Sequence, residues 1–196
     1  KPQVPVLRRN RPEINLSECI IYECHVRGMT RLAHEGMDRQ AAKGTFKALS
    51  ETIPHLKKLG INVVELLPVF EFDENENPFW NPGSEDRLLN YWGYSPILFQ
   101  VPKQSYAKDF NNPEIEFRRM VDAFHQAGIE VWLDVVFNHT AELDDFGPAE
   151  NFKLLGREDW YLLSKDGEFL NLSGCGNTFK CAGPGARRMI RDSLVY

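Results

Sequence analysis

The run Leu133-Asp134-Val135-Val136-Phe137-Asn138-His139-Thr140 places one acid inside an apolar stretch, with an amide and an imidazole at its exit. A strand buried on both faces reads as nearly continuous Val, Ile and Leu. A carboxylate inside such a run is costly unless it is paired or used. Chemistry in parallel sheets sits where strands end, so Asp134, Asn138 and His139 are the first candidates. His139 could ligate a metal, move a proton or donate to a ligand hydroxyl. Asp134 could instead brace loops through backbone N–H groups. A second group is aromatic: Phe70, Phe72, Phe79, Trp80, Tyr91, Trp92 and Tyr94 share one long stretch. Flat rings present an apolar face and a polar edge, which suits the C–H faces and hydroxyl edges of a sugar. The competing reading is a satellite core of mutually packed rings, favoured for each ring except Tyr94, which lies beside the flexible Gly93. Asn177 and Thr178 end a turn-rich segment and could hydrogen-bond a ligand or cap their own loop. Glu65 lies within another apolar run, and Arg27 is a possible partner for a carboxylate.

The elements that position these residues follow from periodicity. Strands are expected over 19–26, 61–67 and 129–137. One helix is expected from Phe46 to Leu59, with Thr45 as N-cap, Gly60 as its stop and Pro54 as a kink. A second covers 113–127 with Phe117, Met120, Val121 and Phe124 on one face. A last helix holds Met189, Ile190 and Leu194. Two joints repeat: Leu59-Gly60-Ile61 and Ala127-Gly128-Ile129 each end a helix and open a strand, as in β/α units feeding a parallel sheet. Helix-to-strand turns are short. Strand-to-helix loops run to roughly 18, 45 and 46 residues, far beyond the usual ~2–6, and all fall at the carboxyl end of the sheet. That is the layout of a (β/α)-barrel enzyme or of a doubly wound sheet. No Gly-rich phosphate loop follows the first strand, which weakens the nucleotide-binding version.

The totals narrow the class. A chain of 196 residues with 42% hydrophobic content can bury a substantial core, and a formal charge of −5 argues against a nucleic-acid partner. No run of 18 apolar residues predicts a membrane span. The four cysteines do not form a zinc set. Cys19 and Cys24, five apart in one predicted strand, would face opposite ways, and Cys175 and Cys181 lack knuckle spacing. They read as reduced thiols of an intracellular protein. No cofactor or metal is expected.

Several stretches together resemble the α-amylase superfamily of glycoside hydrolases. Asp134-Val135-Val136-Phe137-Asn138-His139 matches its first signature. Ile21-Tyr22-Glu23-Cys24-His25-Val26-Arg27-Gly28, Glu65-Leu66-Leu67-Pro68-Val69-Phe70-Glu71-Phe72, Leu89-Asn90-Tyr91-Trp92-Gly93-Tyr94 and Ser173-Gly174-Cys175-Gly176-Asn177-Thr178 resemble its isoamylase, pullulanase and glycogen-debranching branch. Lys43-Gly44-Thr45-Phe46 departs from the Arg-Gly-Thr-Tyr common in relatives. The resemblance implies a partial TIM (β/α)8 barrel, roughly the first three β/α units. Residues 19–196 would be its N-terminal portion, and residues 1–18 a connector from an upstream β-sandwich domain. It implies hydrolysis of α-1,6 branch points in glycogen or starch, in the cytoplasm or the plastid stroma. Tyr94 would stack on the sugar at the cleavage subsite and His139 would hydrogen-bond its primary hydroxyl. Asp134 and Asn138 would brace the site, with Trp92 and Asn177 also at the substrate. The catalytic Asp and Glu of the family lie on strands four and five, so no residue here is assigned catalysis and the chain alone is expected to be inactive. The partners implied are an α-glucan and the remaining C-terminal part of the barrel. The alternatives are a non-catalytic carbohydrate-binding or split scaffold chain, and an unrelated doubly wound small-ligand protein.

Overall fold

The structure, a computed structural model, describes residues 11–32 and 43–195. In chain order the elements are β1 (Ile21–Cys24), α1 (Val26–Arg31), α2 (Phe46–Ser50), α3 (Ile53–Lys58), β2 (Val63–Leu66), β3 (Phe70–Phe72), β4 (Pro96–Pro102), α4 (Pro113–Gln126), β5 (Glu130–Leu133), α5 (Phe152–Trp160) and α6 (Pro184–Val195). They divide between two compact units: the described parts of 1–69 with 101–134, and 70–100 with 135–195.

The first unit is built on a three-stranded parallel sheet ordered β1-β2-β5. Register runs from Ile21 beside Val63 to Cys24 beside Leu66, and from Val63 beside Glu130 to Leu66 beside Leu133. The middle strand is the most buried, with Val63, Val64 and Leu66 fully enclosed, as its β-branched run requires. Phe46, Leu49, Leu56, Met120, Phe124 and Ile129 pack the helices as a core. The Phe46 ring meets Phe117 at 5.4 Å and Tyr106 at 5.9 Å, both edge to face. The repeated joints close alike: Ile61 N donates to Leu56 O at 3.0 Å, and Ile129 N to Phe124 O at 2.9 Å. Gly60 and Gly128 take φ of +80° and +74°, the left-handed stop a helix end needs.

Several expected boundaries move. The single helix over 46–59 is two, because Pro54, without an N–H, sits in the first turn of α3. Thr45 does cap α2, accepting from Ala48 N at 3.2 Å. The first strand ends at Cys24, where His25 caps α1 by accepting from Gly28 N at 3.0 Å. The expected loop over 27–43 therefore opens with a helix; its residues 33–42 lie outside the described residues. Cys19 follows a 3₁₀ turn at Leu16–Glu18 and is not in the strand with Cys24. All four cysteines are free thiols, and burial pushes Cys24 up to about 12. Residues 1–10 of the expected connector lie outside the described residues. Its end is held where Ile14 N donates to Glu130 Oε1 at 3.1 Å.

The second unit has a two-stranded sheet, β3 with β4, and a core of Phe99, Phe152, Tyr161, Phe179 and Ala186. Phe70, Phe137, Trp160 and Met189 pack against that core. Phe99 stacks on Phe137 at 5.7 Å and on Phe179 at 6.0 Å. The expected third strand over 129–137 stops at Leu133; the chain passes to the second unit after Asp134, and Phe137 packs on the second core. The expected loops over 69–112 and 138–183 are not structureless either; they hold β3, β4 and α5.

Candidate functional site

A cleft of about 680 Å³ opens within the second unit. The loop between β3 and β4 builds one wall, with Phe79, Tyr91, Trp92 and Tyr94. The ring-by-ring expectation divides here. Phe72 is buried and Phe70 packs on the core, whereas Phe79, Trp80, Tyr91 and Trp92 are all more than 40% exposed. The exposed rings are held from behind. Tyr91 meets Trp92 edge to face at 5.1 Å, and Asn90 N donates to Glu74 O at 2.7 Å. Gly93 takes φ +76°, and a Cβ there would sit 2.6 Å from the Phe72 ring. Only glycine lets the backbone approach that ring so closely between Trp92 and Tyr94.

His139 reaches the same cleft although it is 8% exposed. Its Nδ1 lies 3.1 Å from Asn138 Oδ1. Burial holds the imidazole below its ordinary value, against the pull of a hydrogen bond to the Tyr94 backbone. It is therefore neutral at pH 7, with one ring nitrogen to donate and one to accept.

The cleft also contains residues that sequence reading did not single out. Glu76 lines it, accepting from Ser95 Oγ at 2.8 Å and Asn90 Nδ2 at 3.4 Å. Burial raises its carboxyl above the ordinary value, only partly opposed by those two hydrogen bonds. Glu76 has no sequence signal beyond a local acidic run. Leu143 completes part of the wall, with Gly174 and Cys175 of the turn-rich segment beside it.

Of the candidates, Trp92, Tyr94 and His139 are thus brought together. Asn138 is exposed beside His139, and its carbonyl accepts from Phe179 N at 2.9 Å. Asn177 has no exposure; its Oδ1 accepts from Thr140 N, and its Nδ2 donates to the carbonyls of Thr140 and Leu143, each at 3.0 Å. It ties loops and leaves no group for a ligand. Thr178 likewise caps its loop, its Oγ1 accepting from Leu172 N at 2.8 Å. Asp134 belongs to the first unit, where it follows β5 and its N donates to Leu66 O at 2.9 Å. Arg27 is also in the first unit, donating to Ser105 Oγ at 2.8 Å and lying over the Tyr106 ring. Among the described residues no three His, Cys, Asp or Glu side chains are grouped to hold a metal ion, and no helix is long and apolar enough to cross a membrane.

An apolar wall of open rings facing a neutral imidazole and one carboxylate can seat a ring-shaped polyol: faces on the aromatics, hydroxyls on the polar groups. The family described as Alpha amylase, catalytic domain, matches residues 27–177. Isoamylase 3, chloroplastic, of Oryza sativa subsp. japonica is 44% identical over 193 residues, 95% of this chain and 24% of that protein. The glycogen debranching enzyme of Enterobacter sp. (strain 638) is 39% identical over 192 residues, 94% of this chain and 27% of that protein. Among solved structures, pullulanase from Paenibacillus barengoltzii complexed with maltohexaose and alpha-cyclodextrin superposes with a TM-score of 0.77 at 27% identity, covering 94% of this chain and 29% of that one. Pullulanase from Bacillus acidopullulyticus gives 0.76 at 32% identity, covering 96% of this chain and 23% of that one. The chain spans about a quarter of the length of the curated relatives it matches.

Proposed function

We propose, from the premise that this chain belongs to the alpha-amylase catalytic-domain family, that it supplies the sugar-holding rim of an α-glucan debranching hydrolase acting on α-1,6 branch points of glycogen or starch. The observation that carries this reading is the cleft in which Trp92, Tyr94 and His139 meet. Tyr94 and Trp92 stack on glucose rings, His139 hydrogen-bonds a primary hydroxyl, and Asn138 orients His139. Asp134 braces the carboxyl end of the sheet. Asn177 acts one step back, holding the loop that carries Leu143. The three parallel strands form the first part of a (β/α)8 barrel, with residues 1–18 leading from a β-sandwich. Relatives named as chloroplastic isoamylases and bacterial glycogen debranching enzymes support a plastid-stromal or cytoplasmic setting.

Retaining hydrolysis needs a carboxylate nucleophile and a carboxylic acid about 5–5.5 Å apart across the scissile bond. Among the described residues the cleft wall holds one carboxylate, Glu76. The chain by itself therefore binds and does not cut, and the catalytic pair is carried by strands four and five of the complete barrel. The test is reducing-end release by the full-length protein from glycogen and amylopectin, with unbranched amylose as control. Release from the branched glucans alone is expected. Equal action on amylose, or none on any, refutes debranching. Activity of the 196-residue chain alone would refute the division of labour.

A further inference from the structure

The loop that carries Leu143 into the cleft wall is closed by two side chains that exchange roles. Glu142 is 2% exposed and aims its carboxylate at the start of α5. It accepts from the backbone N–H of Glu150 at 2.8 Å, Asn151 at 2.9 Å, Phe152 at 3.0 Å and Lys153 at 3.1 Å. The opening turn of a helix leaves its first N–H groups without backbone partners, and the buried carboxylate accepts from them. Lys153, in the first turn of that same helix, reaches back the other way. Its Nζ donates to the backbone carbonyls of Glu142 at 2.6 Å, Asp144, and Gly147 at 3.1 Å. An ammonium has three N–H donors, and here each one finds a carbonyl. The Phe169 ring lies 5.2 Å from Nζ, adding the attraction of a ring face for a cation.

A helix dipole does not explain this lysine, because α5 breaks at Gly156 (φ +115°) and Lys153 sits in the single turn before the break. Carbonyl oxygens converging on a single positive charge are how chains hold hard metal ions; here a side chain fills that position. The segment so held is under strain. Leu143 has φ 51°, the one non-glycine residue in the left-handed region among the described residues, a conformation that costs an L-residue energy. A Cβ on Gly147 would lie 2.2 Å from Glu142 O, so the loop doubles back on itself without room for any larger residue. Asn177 Nδ2 holds Leu143 O from the other side.

We propose that Lys153 is a built-in cation whose ammonium, seated in the carbonyl cage of Glu142, Asp144 and Gly147, fixes Leu143 in the wall of the glucan cleft. Lys153 is thereby a positioning residue for sugar binding. The proposal rests on the reading of that cleft as a glucan site.

The experiment uses the full-length protein with maltohexaose as probe. Lys153→Met keeps most of the stem and removes the charge; it is expected to weaken maltohexaose binding roughly tenfold by loosening a preformed wall. In a Leu143→Ala background the same change should cost less than about twofold, because coupled residues are non-additive. Equal losses in both backgrounds overturn the route through Leu143. Lys153→Ala leaves a hole the size of n-propylammonium. That ion should raise the unfolding midpoint of the variant and restore its affinity, while propan-1-ol, of like shape without charge, should do neither. Equal effects of the two additives overturn the cage. Should Lys153→Ala not fold, the readout is recovery of near-UV circular dichroism on refolding with each additive; recovery with propylammonium alone supports the cage, and equal recovery or none overturns it. A wild type that ignores maltohexaose overturns the cleft reading and this use of it together. A wild type that binds, with Lys153→Met binding equally well, overturns the Lys153 role alone.

Discussion

Trp92 and Tyr94, which share the cleft with His139, should not contribute equally to binding, and their exposure says by how much. Trp92 is 56% exposed and Tyr94 38%. A tryptophan side chain presents roughly 250 Å² and a tyrosine roughly 200 Å², leaving about 140 and about 75 Å² open. A sugar lying on one face covers about half of that, and at about 25 cal/mol per Å² the contacts stabilise the complex by about 1.8 and about 1 kcal/mol. Replacement by alanine should therefore raise the Kd for maltohexaose roughly 20-fold at Trp92 and roughly 5-fold at Tyr94, taking about 1.4 kcal/mol per tenfold. Tyr94→Phe keeps the face and should change Kd less than about twofold. Titration calorimetry on the full-length protein measures all three. A larger loss at Tyr94 than at Trp92 would refute the area argument and point to a role at the reacting sugar. Wild-type affinity in both alanine variants would remove these rings from the site.

Two further outcomes follow from the same geometry. Gly93→Ala must place a methyl group 2.6 Å from the Phe72 ring at φ +76°; a loss of about 2 kcal/mol is expected, read as a lower unfolding midpoint, and an unchanged midpoint would show that the ring yields freely. Glu142 gives a pH dependence. Burial alone would raise its carboxyl, but the Tyr161 hydroxyl and the α5 amides outweigh burial and hold it below its ordinary value of 4.5. A depressed folded value means its stabilisation is complete above the unfolded value and is lost as pH falls through the lower folded one. The unfolding midpoint of Glu142→Gln should accordingly fall less than that of the wild type between pH 6 and pH 3, roughly the window around these values; parallel acid limbs would assign the sensitivity to other carboxylates.

The regular parts of this fold were legible because their signals are local. Gly60 and Gly128, the Ile-x-Val strand openings and the apolar face of α4 needed no distant partner to be read, and the parallel sheet followed from them. What was hidden depends on tertiary packing. An apolar run does not distinguish strand from buried irregular chain, so Val135–Phe137 read as strand although it lies beyond β5 and its Phe137 packs on an aromatic core. His25 is an unusual cap, and α1 carries a glycine in its interior, so that helix had no sequence signature. In the cleft, Tyr94 and His139 were legible from residue type and position, whereas the Trp92 ring by itself read as packing and only the family resemblance pointed it to the substrate. Asn177 was not, because an amide whose oxygen and nitrogen are all engaged looks in sequence like one free for a ligand. Glu76, Leu143 and Lys153 owe their places to loop geometry that no spacing rule encodes.

The aromatic cluster of the second unit carries a consequence for how the polypeptide acquires its shape. Phe70, Phe99, Phe137, Phe152 and Phe179 touch one another yet lie tens of residues apart along the chain. Contacts of such long sequence separation form slowly, because the entropy of closing each loop is lost before any ring is covered. During synthesis at about 5–20 residues per second, Phe99 must wait several seconds for Phe179, which stacks on it, to emerge. The Phe99 ring spends that interval without this cover, and it is there that a nascent chain would need a chaperone's protection.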